Sequence, residues 1–192
     1  QYSSNPAVPS VIKPLPQIPV TVFPDFTKIV DVDDKKRQFL DYMQSFLDAE
    51  NQEIMILRSR LLEIRENIER GTPSIKDTAE VENLSETYRI DHEGMTIAAM
   101  IDELLLRVDL IPVSMALAQA ANESAWGTSR FTIEGNNVFG QWCYEEGCGI
   151  VPSRRISGAT HEVRYFDTVE KSVKSYFLNI NTHVSYAYLS CL

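Results

Sequence analysis

The sequence predicts a mainly α fold with a small β-hairpin lobe, preceded by a long amphipathic helix and a proline-rich arm. Three observations carry that reading. Apolar residues recur at spacings of three and four over residues 39–68, which marks one face of a helix. A run of small and apolar residues, 115–127, contains a single acid near its end, Glu123. Beyond Gly127 the composition turns to glycine, asparagine and aromatic residues, and the stretches 151–155 and 161–166 flank an Ile-Ser-Gly-Ala-Thr turn as a hairpin.

In chain order, residues 1–24 hold six of the nine prolines and one ionisable side chain, Lys13. Proline so dense sustains neither a helix nor a sheet interior, so this is an extended arm. Residues 25–93 form an N-terminal helical segment that packs on the core or projects from it. The acids after Thr27, Asp31, Asp33 and Asp34, suit a helix N-terminus. The stripe Phe39, Met43, Phe46, Leu47, Ile54, Leu57, Leu61, Ile64 and Ile68 then runs until Gly71 and Pro73. At about 1.5 Å per residue this helix is roughly 50 Å long, so it breaks near Glu50-Asn51, lies across the core, or offers a surface to a protein partner. The stripe lacks strict heptads, which favours the core. One short helix is expected over residues 77–88. Residues 94–192 form the last unit. There Thr96 caps a helix over 97–108, Pro112 sits in the first turn of the next, and Asp167 or Thr168 caps a final helix with Val169, Val173, Tyr176, Phe177 and Ile180 on its buried stripe.

With 192 residues, 44% of them hydrophobic, the chain can bury one sizeable core. Its 27 acids outnumber 18 bases, and the net charge of −9 disfavours nucleic acid as a partner. No apolar run approaches the roughly 18–20 residues of a membrane span. No glycine-rich phosphate loop follows a strand, and no Cys/His cluster has metal spacing, so neither a cofactor nor a metal is expected. The chain opens at Gln1 and reads as a processed or trimmed piece of a longer protein. Cys143 and Cys148 enclose four residues. A disulfide there is geometrically allowed in an oxidising compartment, against two free thiols in a turn; Cys191 has no obvious partner.

The most informative stretch is the helix ending at Glu123. On its face lie Ala120, Gln119 and Ala116, three, four and seven residues back. Small side chains there are expected to leave a hollow beside the carboxyl, and apolar surroundings favour the protonated form a general acid needs. Residues 131–142 follow with too many glycines and amides for a core element. Flat aromatic faces with amides suit a sugar-binding groove, so Gln119, Trp126, Asn136, Asn137, Phe139 and Trp142 are candidate substrate contacts. Trp126 and Phe139 suit a core position equally well.

The residues Asn122-Glu-Ser-Ala-Trp-Gly-Thr-Ser-Arg-Phe, followed by Gly135-Asn-Asn-Val-Phe-Gly, resemble the signature of the bacterial peptidoglycan-hydrolysing glucosaminidases of glycoside hydrolase family seventy-three. The chain is more similar still to the Bax-type bacterial proteins of that superfamily, which are unrelated to the apoptotic regulator. That likeness rests on Trp142-Cys-Tyr-Glu-Glu-Gly-Cys-Gly-Ile-Val-Pro, His161-Glu-Val, Asn179-Ile-Asn-Thr-His and Ser185-Tyr-Ala-Tyr. The resemblance implies a lysozyme-like helical fold, an exported or periplasmic location, and cleavage after N-acetylglucosamine in the glycan strands of peptidoglycan. It matches Glu123 to the catalytic acid and Tyr186 to an active-site tyrosine. Relatives commonly carry a second acid on the first hairpin strand, where Val151-Pro-Ser-Arg-Arg has none. Glu162 on the second strand is the substitute, with Glu134, Glu145 and Glu146 as alternatives; without any of them the substrate's acetamido group would act as internal nucleophile. His161 and His183 suit structural hydrogen bonding. Rival readings are a lytic transglycosylase and a non-catalytic cell-wall adaptor using the long helix as its partner surface.

Overall fold

Aspartate begins the long helix as its position suggested: the Asp31 carboxyl accepts the Asp34 N–H at 2.7 Å, satisfying one of the free donors of a first helical turn. In this computed structural model, which describes residues 23–153, 155 and 158–183, helix α1 then runs unbroken from Val32 to Glu69, 38 residues, or about 57 Å. It does not break at Glu50-Asn51. Its inward stripe of Phe39, Met43, Phe46, Leu47, Ile54, Leu61 and Ile64 is buried, and it packs against α3 (Ile97–Arg107), α4 (Val113–Glu123) and α6 (Val169–Thr182). Residues 1–22, with most of the proline arm, lie outside the described residues, as do Tyr186 and Cys191.

Helix α2 (Ile75–Thr87) starts with a capping box in which Ser74 and Asp77 bond each other's backbone N–H. Thr96 caps α3 by accepting the Ala99 N–H, and Thr168 caps α6 by accepting that of Lys171. Two side chains of α1 clip the α3–α4 connection in place. The Asn51 amide bonds both the N–H and the C=O of Ile111, at 3.0 and 2.8 Å. The Arg58 guanidinium donates to the carbonyls of Leu105 and Val108, which the end of α3 leaves unpaired. The start of α4, and so its whole axis, is referenced to α1.

Between α4 and α6 lies the β lobe. Strand β3 (Glu162–Arg164) is central, with β1 (Trp142–Cys143) and β2 (Gly149–Ile150) antiparallel on its two sides. Trp142 faces Val163 in register, and Ile150 faces the same residue from the other side. The hairpin expected over 151–155 and 161–166 is therefore displaced: its first strand stops at Ile150, and a third strand, β1, joins. Pro152 explains the stop, because it has no N–H for a ladder, and its carbonyl instead accepts the Arg155 N–H in a turn. A short helix, α5 (Arg130–Gly135), also occupies a stretch that reads as loop; it is capped by Ser129 and closed by Asn136 in the left-handed conformation at φ +50°. Among the described residues, six α-helices around one core with a small antiparallel sheet make a mainly α, lysozyme-like fold.

Candidate active site

Glu123 is the last residue of α4 and is exposed. A carboxyl at the negative end of a helix dipole adds nothing to helix stability. Among the described residues it has no hydrogen-bond or ion-pair partner. The expected hollow over its helix face is not there: Ala116 and Ala120 are both 0% exposed and belong to the common core. Their small size serves packing of α4 on α1, and Glu123 is not enclosed by apolar side chains.

The chain turns sharply after the acid. Ala125, Trp126 and Gly127 all have positive φ, at 50°, 58° and 77°, a left-handed turn that costs roughly 1–2 kcal/mol at each non-glycine residue. Ser124 holds it. Its hydroxyl, fully buried, accepts the Gly127 N–H at 2.8 Å, while its carbonyl accepts the Ser129 N–H at 2.9 Å. A β-carbon at Gly127 would meet Phe26 at 2.6 Å. Trp126 is carried by this turn onto α1, with its ring edge-on to Phe39 and 5.3 Å from the Lys36 ammonium. Of its two readings, the structure shows packing on the core.

The loop of residues 136–141 closes on Glu123 from the other side. Asn137 is 1% exposed, and its amide is fully engaged: Nδ2 donates to the carbonyls of Gln141 and Arg164, and Oδ1 accepts the Gln141 N–H. Asn136 Nδ2 donates to Phe166 and Asp167 carbonyls. The Asn137 amide staples the loop to the β lobe, which corrects its reading as a sugar contact, and Asn136 ties the loop to the segment after β3 through Nδ2. Phe139 is buried and stacks on Tyr176, with ring centroids 3.9 Å apart and planes 7° from parallel. The Tyr176 hydroxyl in turn donates to Gln119 Oε1, one helical turn before Glu123. Gly140, at φ +61°, then places its backbone against the acid, so that a β-carbon would stand 3.0 Å from Glu123 Oε2. Gly140 thus lies against Glu123, while Phe139 and Tyr176 link the same loop to Gln119 on α4.

Two residues beyond Gly140, hence within about 7 Å along the chain, Trp142 is 53% exposed and stacks on the His161 ring at 4.3 Å. Cys143 and Cys148 form a disulfide. Glu162 does not face open solvent: it is 4% exposed, and its two oxygens accept the N–H groups of Gly147 and Gly149 at 3.2 and 2.8 Å. This corrects its reading as the carboxylate across a groove, since a water-activating group needs room for water. Glu134 is exposed and lies 3.9 Å from Arg130, while Glu145 and Glu146 are exposed on the disulfide loop. Sequence reasoning missed Ser124, Tyr176 and Gly140 as parts of this site. The two positive-φ residues gave no sequence signal, while the glycine after Phe139 did. No cluster of metal-ligating side chains occurs among the described residues, and no helix among them is long and apolar enough to cross a membrane.

The glucosaminidase family, described as mannosyl-glycoprotein endo-beta-N-acetylglucosaminidase, matches residues 98–190. Protein bax of Escherichia coli (strain K12) is 31% identical over 164 residues, which cover 85% of this chain and 57% of that protein. The chain thus spans a little over half the length of this relative. No solved structure matches it. Placed on the fold, the matched segment begins in α3 and takes in Glu123, the closing loop and the β lobe, and it is here that the chain is similar to the glucosaminidase family and to Protein bax.

Proposed function

We propose that the chain is an exported hydrolase of cell-wall glycan, with Glu123 as its general acid. The observation that carries this is the exposed carboxyl of Glu123, without a partner among the described residues, which the chain follows with the left-handed turn and which meets Gly140, with the exposed Trp142 two residues further along. In the proposed reaction Glu123 protonates the glycosidic oxygen as the bond to the anomeric carbon breaks. Both Glu162 oxygens are engaged by backbone N–H groups, which favours the substrate's own 2-acetamido oxygen as the internal nucleophile. The anion of Glu123 then takes a proton from the water that opens the cyclic intermediate, and a new reducing end is released. Trp142 offers an apolar face to a pyranose ring. Tyr186, matched by resemblance to an active-site tyrosine, lies outside the described residues. The Cys143–Cys148 disulfide supports an oxidising, extracytoplasmic location.

The decisive experiment is Glu123→Gln assayed on purified peptidoglycan. Loss of reducing-end release, with the circular dichroism spectrum and melting temperature unchanged, is expected. Undiminished release would remove Glu123 from the mechanism. The engagement of Glu162 also suits a lytic transglycosylase, in which the sugar's own hydroxyl closes the intermediate. Mass spectrometry separates the two, because a hydrolytic product is heavier by one water. Glycan binding without turnover in protein with Glu123 intact would instead indicate an adaptor.

A further inference from the structure

One residue beyond Glu123 the chain enters three consecutive left-handed residues, Ala125, Trp126 and Gly127. Two adjacent non-glycine residues in that region persist only where their surroundings hold them. On the α4 side the hold is polar. The Trp126 N–H donates to the Ala121 carbonyl at 2.9 Å, and the Gly127 N–H to Ser124 Oγ at 2.8 Å. On the other side the hold is aromatic, and it comes from the opposite end of the chain. Gly127 sits against three rings: a β-carbon there would stand 2.6 Å from Phe26, 3.0 Å from Phe39 and 3.2 Å from Phe23. Phe39 belongs to α1, but Phe23 and Phe26 precede that helix, and Phe26 opens a single 3-10 turn, Phe26–Lys28, capped by Asp25. The Phe26 ring is 2% exposed and lies 5.5 Å from the rings of both Phe23 and Phe39. Phe39 in turn meets Trp126 edge-on at 6.1 Å. The turn that follows the acid is therefore seated on a plug built by residues 23–28.

We propose that Phe26 is a positioning residue for Glu123: its ring fills the space under Gly127, holds the left-handed turn, and through that turn fixes the end of α4 that carries the acid. Phe26 acts only through the turn and is not a catalytic residue. The proposal rests on the reading of Glu123 as general acid, and it adds a residue far upstream of the family match, which starts at residue 98. Without the ring, Gly127 faces a void, and the strained residues before it can relax towards right-handed backbone. The Glu123 backbone then shifts relative to Gly140, which its carboxyl meets closely. A displacement of about 1 Å at a reacting group costs on the order of a hundredfold in rate. Trp142 stands on β1, outside the turn, so the ring face it offers stays in place while the acid moves. The signature is a fall in kcat with KM nearly unchanged.

The test compares the full chain with its Phe26→Ala, Phe26→Leu and Ile64→Ala variants, each held below its melting transition and assayed on soluble, uncrosslinked peptidoglycan glycan strands. Ile64 is equally buried but lies further along α1, about 38 Å from Phe39 by helix rise, so the cavity it leaves is remote from the turn. Phe26→Ala should lower kcat about tenfold or more, with KM within about threefold of the parent. Phe26→Leu should show a smaller loss of the same kind, and it serves where the alanine variant does not fold. Ile64→Ala should lose stability and keep kcat. A second readout needs no turnover: exchange of the Gly127 N–H, followed by NMR relative to the α6 amides, should quicken in the Phe26 variants and not in Ile64→Ala. Unchanged kcat in the folded Phe26 variants, a loss carried by KM, an equal loss in Ile64→Ala, or unaltered Gly127 exchange would each overturn the proposal. Failure of the hydrolase reading shows separately, as a parent protein that releases no reducing ends or a Glu123→Gln protein that releases them undiminished; either removes the reaction Phe26 is assigned to serve.

Discussion

Glu123 Oε2 and Gly140 meet so closely that the glycine's missing side chain is part of the site: a β-carbon there would stand 3.0 Å from the oxygen. The residue also holds φ at +61°, where a side chain costs roughly 1–2 kcal/mol. Gly140→Ala should therefore lower the melting temperature by a few degrees and lower glycan cleavage by tenfold or more, because the carboxyl must move. Calorimetry and a reducing-end assay measure the two effects. Full activity in a stably folded Gly140→Ala protein would show that the contact does not set the acid's position.

Glu162 is expected to anchor the disulfide loop through the Gly147 and Gly149 N–H groups. Removing a charged acceptor that two part-buried donors share costs about 1–3 kcal/mol at most. Glu162→Ala should lose that much stability in urea unfolding, and Glu162→Gln, which keeps one acceptor, should lose less. A group that activates water would behave differently, with activity lost at unchanged stability in Glu162→Gln.

Glu50 predicts a pH dependence of stability. It lies half-buried on α1, near Tyr88 and facing Lys174, Glu53 and Glu170, and burial, the leading cause, pushes its carboxyl up to about 7. Lys174 opposes that rise only in part, since its ammonium already pairs with Glu53 at 2.9 Å and Glu170 at 3.4 Å. In the unfolded chain the group titrates near 4.5. The folded protein thus holds the proton more tightly, and the stability this contributes is present below pH 4.5 and lost as pH rises through about 7. Glu50→Gln should raise the melting temperature at pH 8 and flatten its decline between pH 5 and pH 8. An unaltered decline would mean that another group is responsible.

Ser124→Ala leaves the Gly127 N–H without its acceptor at 0% exposure of the serine, at a cost of about 1–3 kcal/mol. The left-handed turn it holds follows Glu123 directly. Loss of stability should come with a disproportionate fall in turnover. Measured side by side, an activity that merely tracks the folded fraction would place the turn outside the mechanism.

Local signals were the legible ones. The stripe of α1 and the caps at Asp31, Thr96 and Thr168 can be read because helix periodicity and capping depend on residues three or four apart. Glu123 stands out for a similar reason, as the one acid in an apolar run. The partners of polar side chains were not legible. Asn137 and Glu162 have the composition of a ligand site, yet both are engaged by backbone groups that only the folded chain brings near. Small residues carry the same ambiguity: Ala116 and Ala120 read as an opening and proved to be a close helix contact. Strand β1, of two residues, is too short to show alternation.

The clips from Asn51 and Arg58 to the α3–α4 connection bear on how this protein should be handled. The stretch that kinship recognises starts at residue 98, yet the helix that fixes the heading of Glu123 lies wholly upstream of it. Excised at that border, the fragment would bare Leu104, Val108, Ile111 and Ala116 to water, along with carbonyls whose partners had been cut away. Ancestry and autonomy draw their lines in different places here, and an expression clone trimmed to the first should yield inclusion bodies rather than folded protein.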